Sequence, residues 1–197
     1  MIERKEEFIE VLKKRLKETR FQHSLNVADA ALRLAKKYGA DEEKAYIAGL
    51  LHDVCKNVSP EEQKEYMLKD KEELDSVILE NEKLWHAPAG AVYVRDVLGI
   101  KDEDIFLAIK YHTTARKNMG LLEKIIYIAD YISDERSYEG VEIMREKAFR
   151  DLDEAILEGT RYTILDLAKA NRIINQDTID AYNEMSKKFE RVGIKNI

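Results

Sequence analysis

Apolar residues recur at intervals of three and four along nearly all of this 197-residue chain, and that period admits helices and little else. Ile2 to about Lys17 reads as an opening amphipathic helix. A second spans about Arg20 to Tyr38 and stops at Gly39, a residue suited to the left-handed position after a helix. Asp41 caps a third that reaches the adjacent pair His52 and Asp53. In "SPEE", 59–62, a capping Ser59, Pro60 at the first helical position and Glu62 as the return half of a capping box start a helix over 60–69, followed by one over 72–80. "WHAPAG" is expected to break the chain before a helix ending near Leu98. Asp102 caps the next, through His112; 121–133 is the most apolar, and further helices are expected over 141–169, with a break near Asp151, and 178–191. With no alternating strand pattern, repeat or linker, the expectation is one compact all-α domain over 1–197.

Composition narrows the function. Two prolines and eight glycines are too few for an all-β chain. A net charge of −6 supplies no basic field for a nucleic-acid polymer, so an anionic substrate must be met locally, by a metal or a few Lys and Arg. The single cysteine, Cys55, excludes an internal disulfide framework and a CxxC zinc site, and points to a reducing cytoplasm. No apolar run approaches a bilayer span, so no membrane partner is expected.

The four histidines are placed to matter. His23 shares a helical face with Val27, Ala31 and Leu34; His52 follows Ala45, Ala48 and Gly49; His112 follows Ile105, Ala108 and Ile109. Asp130 lies in line with Leu122 and Ile126. A lone histidine on an apolar face is usually a hydrogen-bonded core residue. An unpaired buried carboxylate, however, costs several kcal/mol, so Asp130 needs a partner. A cation held by imidazoles on facing helices supplies one. His52 and Asp53 are the awkward pair, since successive helical residues diverge by about 100°. They converge only on a target between their two directions, near a helix end.

The ordered segments "RFQHSLNVADAALRLA", "GLLHDVCK", "HAPAG", "YHTTAR" and "ADYISDER" resemble the HD-domain metal-dependent phosphohydrolases, and within them the YqeK family of symmetrical diadenosine tetraphosphate hydrolases. The resemblance covers about residues 18–183. It implies an HD-domain helical bundle with the metal between helices, held by His23, His52, Asp53 and Asp130. It implies iron, one ion rather than two, and a homodimer. His86, His112, Thr113 and Arg136 match positions that contact the nucleotide product, ADP. So does "IINQDT", which is Ile173, Ile174, Asn175, Gln176, Asp177 and Thr178. Lys56 completes the family's HDxxK pattern.

The chemistry is coherent with these residues. Two imidazoles and two carboxylates suit Fe, with Mn or Zn as other choices, and leave positions for water and a phosphate oxygen. Asp53 would also orient the water, and His86 and His112 would supply protons. Lys56 and Arg136 would neutralise polyphosphate. The residues leave open whether His86 and His112 hold a second metal. Each supporting residue has a plainer role: Lys56 a solvated lysine, Arg136 a surface ion pair, Arg20 an anchor of its helix start, Trp85 and Cys55 core packing, and Asn175, Asp177 or Thr178 a helix cap. The rival functions are another nucleotide phosphohydrolase (a nucleotidase or phosphodiesterase), a non-catalytic nucleotide sensor, and a plain helical interaction module.

Overall fold

The computed structural model describes residues 4–70 and 76–191. Eleven helices and no strand are found among them: α1 Lys5–Arg15, α2 Glu18–Tyr38, α3 Glu42–Leu51, α4 Pro60–Met67, α5 Ser76–Glu80, α6 Glu82–Asp96, α7 Glu103–Lys110, α8 Leu121–Ile132, α9 Val141–Arg150, α10 Leu152–Lys169 and α11 Gln176–Arg191. The first residues of the opening helix and most of the first half of the 72–80 helix lie outside the described residues.

Local chemistry sets most boundaries. The side chains of Asp41, Ser59 and Asp102 each accept a backbone N–H three residues on, satisfying one orphan donor of a first turn. The return half of the expected capping box is not made: the Glu62 carboxylate is taken by Arg15 (2.7 Å), and the cap rests on the Ser59 hydroxyl. Gly39 closes α2 at φ 69°. Asp151 leaves helical geometry (φ −150°) and accepts from the N–H groups of Asp153 and Glu154, which splits 141–169 where the sequence places the break. Asn175 caps α11, accepting from Asp177 N–H at 2.8 Å.

"WHAPAG" does not break the chain; α6 runs through it with Pro88 inside. An interior proline removes a hydrogen bond and costs about 3 kcal/mol or more. Here every residue from Trp85 to Val94 is buried, and that burial outweighs the local penalty. Small residues make the burial possible. A Cβ on Gly90 would stand 3.5 Å from the His52 carbonyl oxygen, so α6 lies close against the turn after α3. His86 is one turn before Gly90 and is carried to the same place.

The core extends from Phe8 in α1 to Met185 in α11. Its tightest seam is α2 on α3: a Cβ on Gly49 would come within 2.9 Å of Ala28 Cα, so only glycine permits this spacing. Among the described residues no helix is long and apolar enough to cross a membrane.

Candidate metal centre

Four helices meet at one buried carboxylate. α3 stops at Leu51, and the chain then tightens into turns in which Val54 N–H bonds Leu51 O and Lys56 N–H bonds Asp53 O. His52 and Asp53 thus sit at and just past the helix end, where both can face inward. α7 likewise stops at Lys110, short of the expected His112, and His112 enters from the following turn.

Both histidines end their helices in the same way. His52 Nδ1 lies 2.7 Å from Gly49 O, and His112 Nδ1 lies 2.7 Å from Ile109 O. A carbonyl only accepts, so each Nδ1 carries the proton and each ring satisfies a last-turn carbonyl. The Nε2 lone pairs are therefore turned inward by the backbone itself.

Those atoms converge. His23 Nε2 is 3.1 Å from Asp130 Oδ1 and 3.8 Å from Asp53 Oδ2. His52 Nε2 is 3.5 Å from Asp53 Oδ2. His86 Nε2 and His112 Nε2 stand 3.3 and 3.6 Å from Asp53 Oδ1. Edge contacts link the rings, His23–His52 at 5.2 Å, His52–His112 at 4.9 Å and His112–His86 at 5.2 Å between centroids. His23 Nε2, His52 Nε2 and Asp53 Oδ1 are buried and make no hydrogen bond. Ligands side by side on one ion, each about 2.1 Å from it, stand about 3 Å apart, so this spacing fits a cation. Among the described residues two triads have the reach for an ion, His23–His52–Asp130 and His52–Asp53–His112, with His52 common to both. The mixed N/O set suits Fe, Mn or Zn.

Cations flank the cluster. Arg20 Nη1 is 2.9 Å from Asp53 Oδ2. Its guanidinium thus does more than anchor the start of α2. Arg136 binds the Asp130 carboxylate and donates from Nε to its main-chain oxygen at 2.8 Å, so it is no detached surface pair. Lys56 Nζ lies 3.1 Å from His86 Nε2. Trp85 and Cys55 take their plainer roles. Trp85 donates to Ile78 O, and Cys55 is buried beside Arg15, with burial pushing its thiol up to about 11.

Burial works against the ionised Asp53, yet the surrounding histidines outweigh it and hold the carboxyl well below the usual range. Asp130 is likewise lowered, burial being overcome by His23 and Arg136. Burial also opposes a charged His23, but Asp130 and Glu135 raise its pKa. His86 is pushed well below the ordinary histidine value, chiefly by burial, against the pull of Asp53. Lys56 is lowered by burial.

Glu135 was not anticipated from sequence. It binds His23 Nδ1 and accepts from Asn26 (2.6 Å) and Ser133 (2.8 Å), which fixes the His23 ring. The available signal was its place in "ADYISDER", five residues after Asp130. Thr113 lines a cavity of about 360 Å³ with His112, Asp130, Arg136 and the tyrosines 131, 138 and 162. The 173–178 segment stands one step away. Thr178 donates to Thr114 O at 2.8 Å, Asn175 is buried, and Ile173 is 65% exposed.

The HD domain family matches residues 20–135, which span all four histidines and Asp130. A protein of Halalkalibacterium halodurans named bis(5'-nucleosyl)-tetraphosphatase, symmetrical, is 42% identical over 90% of this chain and 94% of its own length. One of Bacillus subtilis with the same name is 41% identical over 91% and 96%. A crystal structure from Clostridium acetobutylicum, described as a predicted HD superfamily hydrolase involved in NAD metabolism, superposes with a TM-score of 0.89 at 41% identity, covering 93% of this chain and 97% of that one. The buried imidazoles and carboxylates thus lie in the region that the family match covers, and the chain belongs to the HD-domain family.

Proposed function

We propose that the chain is a metal-dependent phosphohydrolase that cleaves diadenosine tetraphosphate symmetrically into two ADP. The observation that carries this is the set of buried, unpartnered atoms, His23 Nε2, His52 Nε2 and Asp53 Oδ1, gathered beside Asp130 in a chain about 40% identical to symmetrical tetraphosphatases. His23, His52, Asp53 and Asp130 are the metal ligands in this reading, with iron as the ion. The cation supplies a water of lowered pKa and a polarised phosphoryl oxygen.

The chain's own residues do the rest. Asp53, held ionised by its histidines, orients the water through its second oxygen rather than keeping a proton. Water oxygen bonds to one central phosphorus, the bridging P–O bond on its far side breaks, and the departing ADP takes the bridging oxygen. His112, with Nδ1–H committed to Ile109, presents its Nε2 lone pair to the centre, where it would take the proton the attacking water gives up and pass it to the bridging oxygen of the departing ADP. Lys56 sits with its ammonium against His86 and, with Arg20 and Arg136, offsets the polyphosphate charge. His86, held neutral by burial, keeps Lys56 aimed at the centre. Thr113, Arg136 and 173–178 receive the nucleotide.

The same resemblance supports one domain over 1–197, a homodimer and a cytoplasmic setting, the last in keeping with a lone, buried cysteine. Elemental analysis and light scattering test the metal and the assembly. For the activity, the metal-loaded protein is incubated with diadenosine tetraphosphate and the products separated. ADP alone is expected. AMP plus ATP, or no turnover with Fe or Mn present, overturns the proposal.

A further inference from the structure

Symmetrical cleavage sets a geometric demand. The bond broken is the central one, so two phosphates and a nucleoside must lie on each side of the cluster. The structure has a cleft on each side of Arg136. One, about 360 Å³, is the cavity of His112, Thr113, Asp130 and Tyr162. The other, about 500 Å³, lies between the start of α2 and the loop after α8, and is lined by Thr19, Arg20, His23, Glu135, Ser137 and the shared pair Arg136 and Tyr138. Both fall within the about 300–1,000 Å³ usual for small-ligand clefts. Each reaches the cluster, the first at His112 and Asp130 and the second at His23.

We infer that the Thr19–Arg20–Ser137–Tyr138 cleft is a second nucleoside diphosphate subsite, which holds the half of the substrate that the first cleft does not. This rests on the symmetrical-cleavage reading. Arg20 uses Nη1 on Asp53 and is one-third exposed, so the remainder of its guanidinium faces a phosphate in this cleft. Arg136, shared by the two clefts, lies under the middle of the tetraphosphate. Tyr138 is the common wall: its hydroxyl donates to Tyr131 O at 3.2 Å and its ring packs on Tyr162 at 5.7 Å, so it is fixed between the two compartments. Two compartments of comparable size about one cleavage centre would register the substrate at its midpoint, whichever end enters first.

The test is ADP binding to the metal-loaded protein by calorimetry, beside turnover of diadenosine tetraphosphate. Two ADP per chain are expected for the native protein. Thr19→Trp, at an exposed position on the first turn of α2, should fill the second cleft, reduce the stoichiometry to one and raise the KM for the dinucleotide by about tenfold or more, with metal content unchanged. Ser137→Trp, from the facing loop, should do the same without touching α2. One ADP per chain in the native protein, or two in both variants, overturns the second subsite. Absence of turnover in the native protein that still binds two ADP overturns the cleavage reading instead, so the two failures are distinct.

Discussion

Two charged clusters in this fold make an instructive pair. At the junction of α8, α10 and α11, Asp153 lies between Lys124 (2.6 Å) and Lys188. Its oxygens are both occupied, and burial is outweighed by the two lysines, which lower its pKa. At the junction of α2, α3, α6 and α7, Asp53 is more deeply buried, with four imidazole nitrogens within 3.8 Å, and several lone pairs there have no hydrogen-bond donor. The first cluster closes on itself and joins elements. The second is arranged for something not yet in it. Satisfaction of polar atoms, rather than their charge or depth, separates a structural ion pair from a site.

The contrast can be broken most sharply at its centre. Asp53→Asn keeps the shape but removes the charge; activity should fall by at least about 10³-fold with loss of bound metal, since even outer partners of metal ligands are worth about 10–100-fold. Retention of full metal content, read by elemental analysis, would remove Asp53 from the ligand set. Glu135→Gln should lower metal affinity or turnover by about 10–100-fold while the melting temperature stays near that of the native protein, because Glu135 acts on the centre by aiming His23 and an amide keeps the shape. Metal titration followed by differential scanning calorimetry checks both halves.

Gly49→Ala acts on the scaffold of the site. The new Cβ meets backbone of Ala28, which cannot swing aside, so a loss of about 1–3 kcal/mol is expected in urea unfolding despite alanine's better helix propensity. Because Gly49 O holds the His52 ring, metal retention should fall with it. Asp153→Asn should leave metal and turnover untouched and cost about 1 kcal/mol at pH 7. Its sign with pH is fixed. The folded pKa lies below the ordinary 3.8, so the stabilisation is fully present above that value and fades as pH falls through the folded pKa. Native and Asp153→Asn stabilities should therefore draw together below about pH 3.8. A gap that widens in acid would show that the lysines do not stabilise the ionised carboxylate.

Much of this was legible in the sequence. The caps Asp41, Ser59 and Asp102, the stop at Gly39 and the break at Asp151 act within three or four residues, and the sequence shows them directly. Burial of the histidines was also legible: helical spacing turned His23 inward, and the apolar faces that run up to His52 and His112 pointed to the interior where both lie. What misled was "WHAPAG", where a proline and a glycine read as a break. Their consequence depends on what packs against them. The Gly90 contact is with His52, far away in sequence.

By itself the sequence determined an all-α chain, the places where most helices begin and end, and the few imidazoles and carboxylates able to share a cation, because capping and amphipathic spacing are short-range physics. Only the tertiary structure decided that α6 continues through Pro88, that His52 and His112 lean inward from helix ends, and that Glu135 holds a His23 that lies 112 positions away. It also decided that two clefts flank Arg136. Those features arise where distant segments compete for the same buried space, and no local pattern records how that competition ends.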